Sequence, residues 1–169
     1  GSSKGSGPAR NMAWEVARRE GAEWLWIMDD NLAGFLVWNR NAKIWAGDGT
    51  IFRAMEDFVD RYENVPIAGM SYFMFAKRKD VIPPFVLNTR VYSNMLIETD
   101  FRDPHGKPYR NEGFYNDDTD LCLRVLKDGF CTVLFNAFLI FKQTTMTVSG
   151  GMTPHYQQNG EGKEDDGRY

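Results

Sequence analysis

Apolar and polar positions alternate along the chain in blocks of two periods. From Asn11 to Gly21, Met12, Val16 and Ala17 recur among charged residues at helical spacing, and Gly21 supplies a C-terminal stop, so this stretch predicts an amphipathic helix. Trp24 to Met28 is a short, unbroken apolar run, the pattern of a strand buried on both faces. Leu32 to Gly49 mixes Asn, Gly and Trp without a clear period and predicts an irregular loop over a site. A second helix is expected from Ile51 to Tyr62, with Phe52, Met55, Phe58 and Val59 on one face. Val65 to Phe75 predicts one or two strands, closed by the basic turn Lys77-Arg78-Lys79. Val86 to Ile97 reads as strand, because Pro83-Pro84 excludes a helix just before it. Asp117 to Lys127 predicts a third helix with Leu121, Val125 and Leu126 inward and Gly129 as its stop, followed by a buried strand from Phe130 to Phe135. This alternation of helices and strands predicts an α/β fold with one sheet and flanking helices.

Composition narrows the picture. With 169 residues, 43% of them hydrophobic, the chain can bury one sizeable core, which favours one domain. The net charge of −3 excludes a protein whose whole surface grips nucleic acid, so any such contact must use a local basic patch. Candidates for that patch are Lys77, Arg78, Lys79, Arg90, Arg102, Lys107 and Arg110. No apolar run approaches the ~18 residues of a membrane span, no signal peptide is visible, and the two cysteines, Cys122 and Cys131, sit in apolar surroundings. A cytoplasmic protein with reduced thiols is the expectation. The tail from Gly160 is too polar to pack.

Two acidic clusters carry the candidate chemistry. The run Trp24 to Met28 stops at Asp29, Asp30 and Asn31, whose oxygens suit a hard divalent cation. Ligand sites in α/β sheets lie at the carboxyl ends of strands, which favours function over a plain polar strand end. Asn116-Asp-Asp-Thr-Asp120 opens the third helix. Capping a helix needs one such residue, so the surplus suggests a general base or a metal-linked group. Arg10 and Asn11 beside a Gly-rich turn suit a phosphate or nucleotide. His155, in Gly150-Gly-Met-Thr-Pro-His155, is either a metal ligand or an exposed histidine. If the acidic clusters serve one site, folding must bring them together.

Taken in order, Gly5-Ser-Gly-Pro-Ala-Arg-Asn11, Trp26-Ile-Met-Asp-Asp-Asn31 and Asn116-Asp-Asp-Thr-Asp-Leu-Cys-Leu-Arg124 resemble the successive motifs of a GT-A glycosyltransferase. Asn88-Thr-Arg-Val-Tyr-Ser-Asn94, Leu126-Lys-Asp-Gly129 and Lys142-Gln-Thr-Thr-Met-Thr-Val-Ser-Gly-Gly151 are similar, within that superfamily, to the glycosyltransferases associated with TET/JBP hydroxylases. That group includes the base J glucosyltransferase and phage enzymes acting on hydroxymethylated pyrimidines in DNA. The resemblance implies a Rossmann-like GT-A domain over residues 1–156 with a polar tail over 157–169, lacking the usual first strand and helix, so that either the sequence is a fragment or another segment or chain completes the donor pocket.

It further implies a cytoplasmic enzyme in a bacterial or phage-infected cell, with a nucleotide sugar as donor, UDP-glucose being the expected one, and DNA containing hydroxymethylated bases as acceptor. Arg10, Asn11, Asp29, Asp30, Asn31, Lys142, Ser149, Gly150 and Gly151 would bind the donor. Asp30, Asn31 and His155 would hold Mg2+ or Mn2+; Asp118 would be the catalytic base of an inverting transfer, with Asp117, Asp120 and Arg90 toward the acceptor. Asn31 stands where the family motif has Asp, and Asp117 where Glu is common. Two other readings are a GT-A enzyme acting on a glycan, lipid or small molecule, and a degenerate, non-catalytic binding module of the same fold.

Overall fold

The computed structural model describes residues 6–78, 81–101 and 116–142. Helix α1 (Ser6–Arg19) leads into strand β1 (Trp24–Met28), then β2 (Leu32–Asn39) and β3 (Ala42–Trp45). Helix α2 (Thr50–Val59) follows, then β4 (Ile67–Tyr72), which runs into a 3-10 turn over Phe73–Phe75. Strands β5 (Phe85–Leu87) and β6 (Asn94–Glu98), helix α3 (Asp117–Lys127) and the long β7 (Thr132–Lys142) complete the order.

The seven strands form one mixed sheet in the order β1-β6-β4-β7-β2-β3, with β5 pairing β7 on the first half of that strand. Strand β6 is antiparallel to both β1 and β4, and β4 is parallel to β7. Hence β1, β4 and β7 run the same way and deliver Met28, Tyr72 and Lys142 to one edge of the sheet. Strands β2 and β6 start at that same edge, since Leu32 pairs with Lys142 and Asn94 with Met28.

Strand alternation feeds two cores, which is why these strands read as continuous apolar runs. On one face, Leu25 and Ile27 of β1 and Met95 and Ile97 of β6 meet Trp14 of α1 and Leu121, Cys122 and Val125 of α3. On the other, Trp24, Trp26, Leu96, Ala68 and Met70 meet Ile51, Met55 and Val59 of α2. Gly69 of β4 is required by close packing, because a Cβ there would come within 2.3 Å of the Asn94 carbonyl oxygen and 2.4 Å of Val91. The chain thus forms a mixed α/β sheet flanked by three helices, the Rossmann-like class expected. Among the described residues no helix is long and apolar enough to cross a membrane.

Four expectations need correction. Leu32 to Gly49 is not an irregular loop but largely the β2-β3 hairpin, turning at Arg40 and Asn41 with φ of 47° and 65°. Two left-handed residues are what a tight hairpin turn needs, but Arg-Asn lacks the glycine that announces it. Helix α1 starts at Ser6 and does not bury Met12 or Val16, which are 69% and 43% exposed. Its inward side is Trp14, 1% exposed, whose indole N–H donates to the Thr99 carbonyl at 2.8 Å, with Arg10 and Arg18 one turn to either side. The stretch Val86 to Ile97 is two short strands separated by a turn region in which Asn88 and Ser93 have positive φ, and β7 runs on past Phe135 to Lys142.

Candidate active site

The edge where β1, β4 and β7 end collects the charged residues of the separate motifs. Arg10, in the second turn of α1, is placed by the buried Trp14 one turn later. Its guanidinium donates to Asp29 Oδ1 at 2.9 Å and to Asp117 Oδ1 at 3.0 Å, so one side chain bridges the two acidic clusters. A planar fork with several N–H groups suits this double contact, where a lysine could make only a point contact. Lys142, the last residue of β7, donates to the other Asp29 oxygen at 2.8 Å and to Ser93 Oγ at 3.0 Å. Ser93 also receives the Asp29 backbone N–H on its carbonyl at 2.8 Å, and its hydroxyl bonds that of Tyr72. Its left-handed conformation, φ 61°, ties β6 to the end of β1.

Helix α3 presents its carboxylates for a local reason. Asp118 heads the buried stripe that continues through Leu121, Cys122 and Val125, so helical periodicity turns it inward to 8% exposure. Asp117 and Asp118 also accept the free backbone N–H groups of Asp118 and Thr119 at 3.0 and 2.8 Å, at the positive end of the helix. Asn116, the residue expected to cap, is left-handed and makes no side-chain cap bond. Asp117 further accepts from Ser6 Oγ at 2.8 Å. Asp118 is held by Arg90 at 3.1 and 3.3 Å. Cys122 fixes the neighbouring Val91 backbone, accepting its N–H at 3.3 Å, and burial pushes the thiol pKa up to about 11. Asp120 instead turns to Arg124, one turn along the helix, at 2.9 Å. Asn11 lies half-buried on α1 beside Arg10.

Burial opposes the charge on Lys142, but the hydrogen bond and charge of Asp29, with Tyr72 and Asp118 adding, hold its pKa above the ordinary lysine value. It is a cation throughout the neutral range. The edge therefore carries three cations, Arg10, Lys142 and Arg90, interleaved with Asp29, Asp117 and Asp118.

The donor set bears on the expected metal. Both Asp29 oxygens are engaged by cations, so Asp29 is the organising anion of the cluster. Asp30 is exposed with no hydrogen bond or ion pair among the described residues, and Asn31 has a buried Oδ1 without a partner. Among the described residues, no group of three or more His, Cys, Asp and Glu is placed to hold a metal by itself. Asp30 and Asn31 offer oxygen donors of the type a hard divalent ion takes, and such an ion would need further oxygen ligands beyond these two. Ser149, Gly150, Gly151 and His155 lie outside the described residues, as do Lys79, Arg102, Lys107 and Arg110.

Sequence reasoning did not single out the residues that knit this edge, Ser6, Tyr72, Tyr92 and Ser93. An aromatic group borders Asp118. The Arg90 guanidinium lies 4.9 Å from the centre of the Tyr92 ring, which sits 4.5 Å from Tyr72 and 6.4 Å from Phe75, centre to centre. Burial, with the Tyr72 charge adding, pushes the Tyr92 phenol up to about 12, so it is neutral at working pH.

The model of the family described as TET-Associated Glycosyltransferase matches residues 1–151, nearly the whole chain. No curated protein and no solved structure matches the chain. Membership implies a nucleotide-sugar donor and an acceptor. The chain belongs to the TET-Associated Glycosyltransferase family and is a glycosyltransferase.

Proposed function

We propose that this enzyme moves a hexose, glucose being the expected one, from a UDP-sugar to the hydroxyl of a 5-hydroxymethylpyrimidine in DNA, with inversion. The observation that carries the reading is the Arg10 bridge, which joins the strand-end motif at Asp29 to the helix-start motif at Asp117 within hydrogen-bond distance of both. A transferase needs a donor half and an acceptor half at one point, and this bridge gives the reason to put them there.

In the transfer, the acceptor hydroxyl oxygen attacks the anomeric carbon from the face opposite the diphosphate. The bond from that carbon to the diphosphate oxygen breaks, and the nucleoside diphosphate leaves with the electron pair. Asp118 takes the hydroxyl proton, for which it must come within about 3 Å of that oxygen in the bound complex. Arg90 keeps the Asp118 carboxylate in place from one side. Arg10 and Lys142, fixed by Asp29, face the charge that builds on the leaving group, and cations already oriented by the fold need not reorganise as the bond breaks. Asp30 and Asn31 would hold Mg2+ or Mn2+, which when bound supplies further positive charge to the diphosphate.

Incubating the protein with a panel of nucleotide sugars and hydroxymethylated DNA, followed by mass spectrometry of the released nucleosides, tests the reading. A nucleoside heavier by one hexose supports it. Transfer only to a glycan, a lipid or a free nucleoside refutes it.

A further inference from the structure

The 3-10 turn that leaves β4 places aromatic and cationic side chains together in a way that the transfer chemistry leaves unused. Ala76, 2% exposed, anchors the turn against Leu36 and Leu139. Just before it, Phe75 is 53% exposed and Met74 65% exposed. Phe75 lies 5.7 Å from Tyr72 and 6.4 Å from Tyr92, centre to centre, so its ring extends the aromatic group that Arg90 caps beside Asp118. Directly after the anchor, Lys77 and Arg78 are exposed. Lys43 of β3 donates to the Phe73 carbonyl at 2.7 Å, with its ammonium 3.6 Å from the Phe73 ring centre. Burial lowers the Lys43 pKa, and the charge of Arg78 lowers it further, so these two cations share one neighbourhood.

In a chain of net charge −3, this turn is a local concentration of positive charge around exposed aromatic faces. A planar π-system with an anionic backbone is the ligand that uses both features, because any base can stack on an aromatic ring while its phosphates meet the cations. A neutral glycan would use the rings and leave the cations idle. We propose that Phe75, backed by Tyr72 and Tyr92, is the stacking platform for a base of the DNA acceptor, and that Lys77 and Arg78 take the adjoining phosphates. The proposal rests on the reading that the acceptor is DNA, and it adds the surface that receives it. A base stacked on Phe75 is next to the ring that Arg90 covers, and Arg90 in turn holds Asp118, so the platform adjoins the proton acceptor.

The test is anisotropy of a labelled DNA oligonucleotide carrying one 5-hydroxymethylpyrimidine, with transfer to the same oligonucleotide followed in parallel. Because Phe75 is exposed, Phe75→Ala is expected to fold normally, as nucleotide-sugar hydrolysis without acceptor would report. It should weaken oligonucleotide binding about tenfold, as loss of one base–aromatic stack does, and raise the acceptor KM with little change in hydrolysis. Phe75→Trp should restore binding, because a larger ring stacks as well or better. The double variant K77E/R78E should weaken binding and flatten its dependence on salt. Binding by Phe75→Ala within about twofold of wild type, or Phe75→Trp as weak as Phe75→Ala, overturns the platform. If wild type glycosylates the oligonucleotide while Phe75→Ala binds it equally well, the platform falls and the DNA reading stands. If wild type neither binds nor modifies it, both fall.

Discussion

Replacing Arg10 by methionine keeps the helix propensity and most of the side-chain length of this residue while deleting the charge-assisted hydrogen bonds that it makes at 2.9 Å to Asp29 and 3.0 Å to Asp117. Each such bond contributes about 1.5–3 kcal/mol when its partner is charged. The gross loss is therefore about 3–6 kcal/mol. The three side chains are only 15–24% exposed, so solvent does little to replace the missing partner. Both carboxylates nevertheless keep other donors: Asp29 retains Lys142, and Asp117 retains Ser6 and the Asp118 N–H. That retention brings the expected net loss of stability to about 2–4 kcal/mol. Arg10→Lys, able to reach one carboxylate but not to fork between two, should lose about half as much. Urea unfolding of wild type, R10M, R10K, D29N and the double variant R10M/D29N would measure both the loss and the coupling between the pair. A loss below about 0.5 kcal/mol for R10M, the size of an ordinary surface substitution, would refute the claim that this guanidinium clamps the motifs together.

Asp30→Ala should leave the urea midpoint unchanged, because the side chain is exposed and without a partner among the described residues, yet abolish the Mn2+-dependent part of donor binding by titration calorimetry. Unchanged metal dependence would free Asp30 of that role. Far from the site, Glu98 lines a cavity of about 320 Å3 with Glu23, Asp60, Glu63 and Asp100, and burial, then the Asp100 charge, raises its pKa above 4.5. A carboxyl whose folded pKa is raised contributes stability below its unfolded pKa and loses it as pH rises through the folded value. Glu98→Gln should therefore stabilise the fold slightly at pH 7, by less than about 1 kcal/mol given solvent screening, and the gain should vanish below pH 4.5. A gain that persists in acid would contradict this assignment.

The main elements were legible because their periods are strong. Trp24 to Met28 and Asp117 to Lys127 have in the structure the bounds that their patterns predict, since a short unbroken apolar run and an amphipathic helix headed by acidic residues each carry one clear signal, although β1 is a half-buried edge strand and not the buried strand expected. The β2-β3 hairpin was not legible. Its edge strand leaves Ile44 and Trp45 half or more exposed, and Arg40-Asn41 carries no glycine signal at the turn. Helix α1 misled for a related reason: a single tryptophan with a satisfied N–H anchors it, so counting apolar positions picks the solvent face. At the site, the acidic residues and Arg10 were visible as motifs, but their partners were not. Ser93 and Tyr72 act through a left-handed turn and a strand end that come together only in the sheet, and no local pattern distinguishes such a serine from any other.

The central claim, that transfer occurs where the two acidic motifs meet and that Asp118 takes the proton there, is tested most directly by single-turnover kinetics of Asp118→Asn. The substitution keeps the shape of the side chain and its place at the head of the buried stripe, and removes its capacity to accept a proton. The transfer rate should fall by about 10²–10⁴, with donor affinity within a few-fold of wild type. A wild-type rate, or a loss of donor affinity that matches the loss of rate, would contradict it.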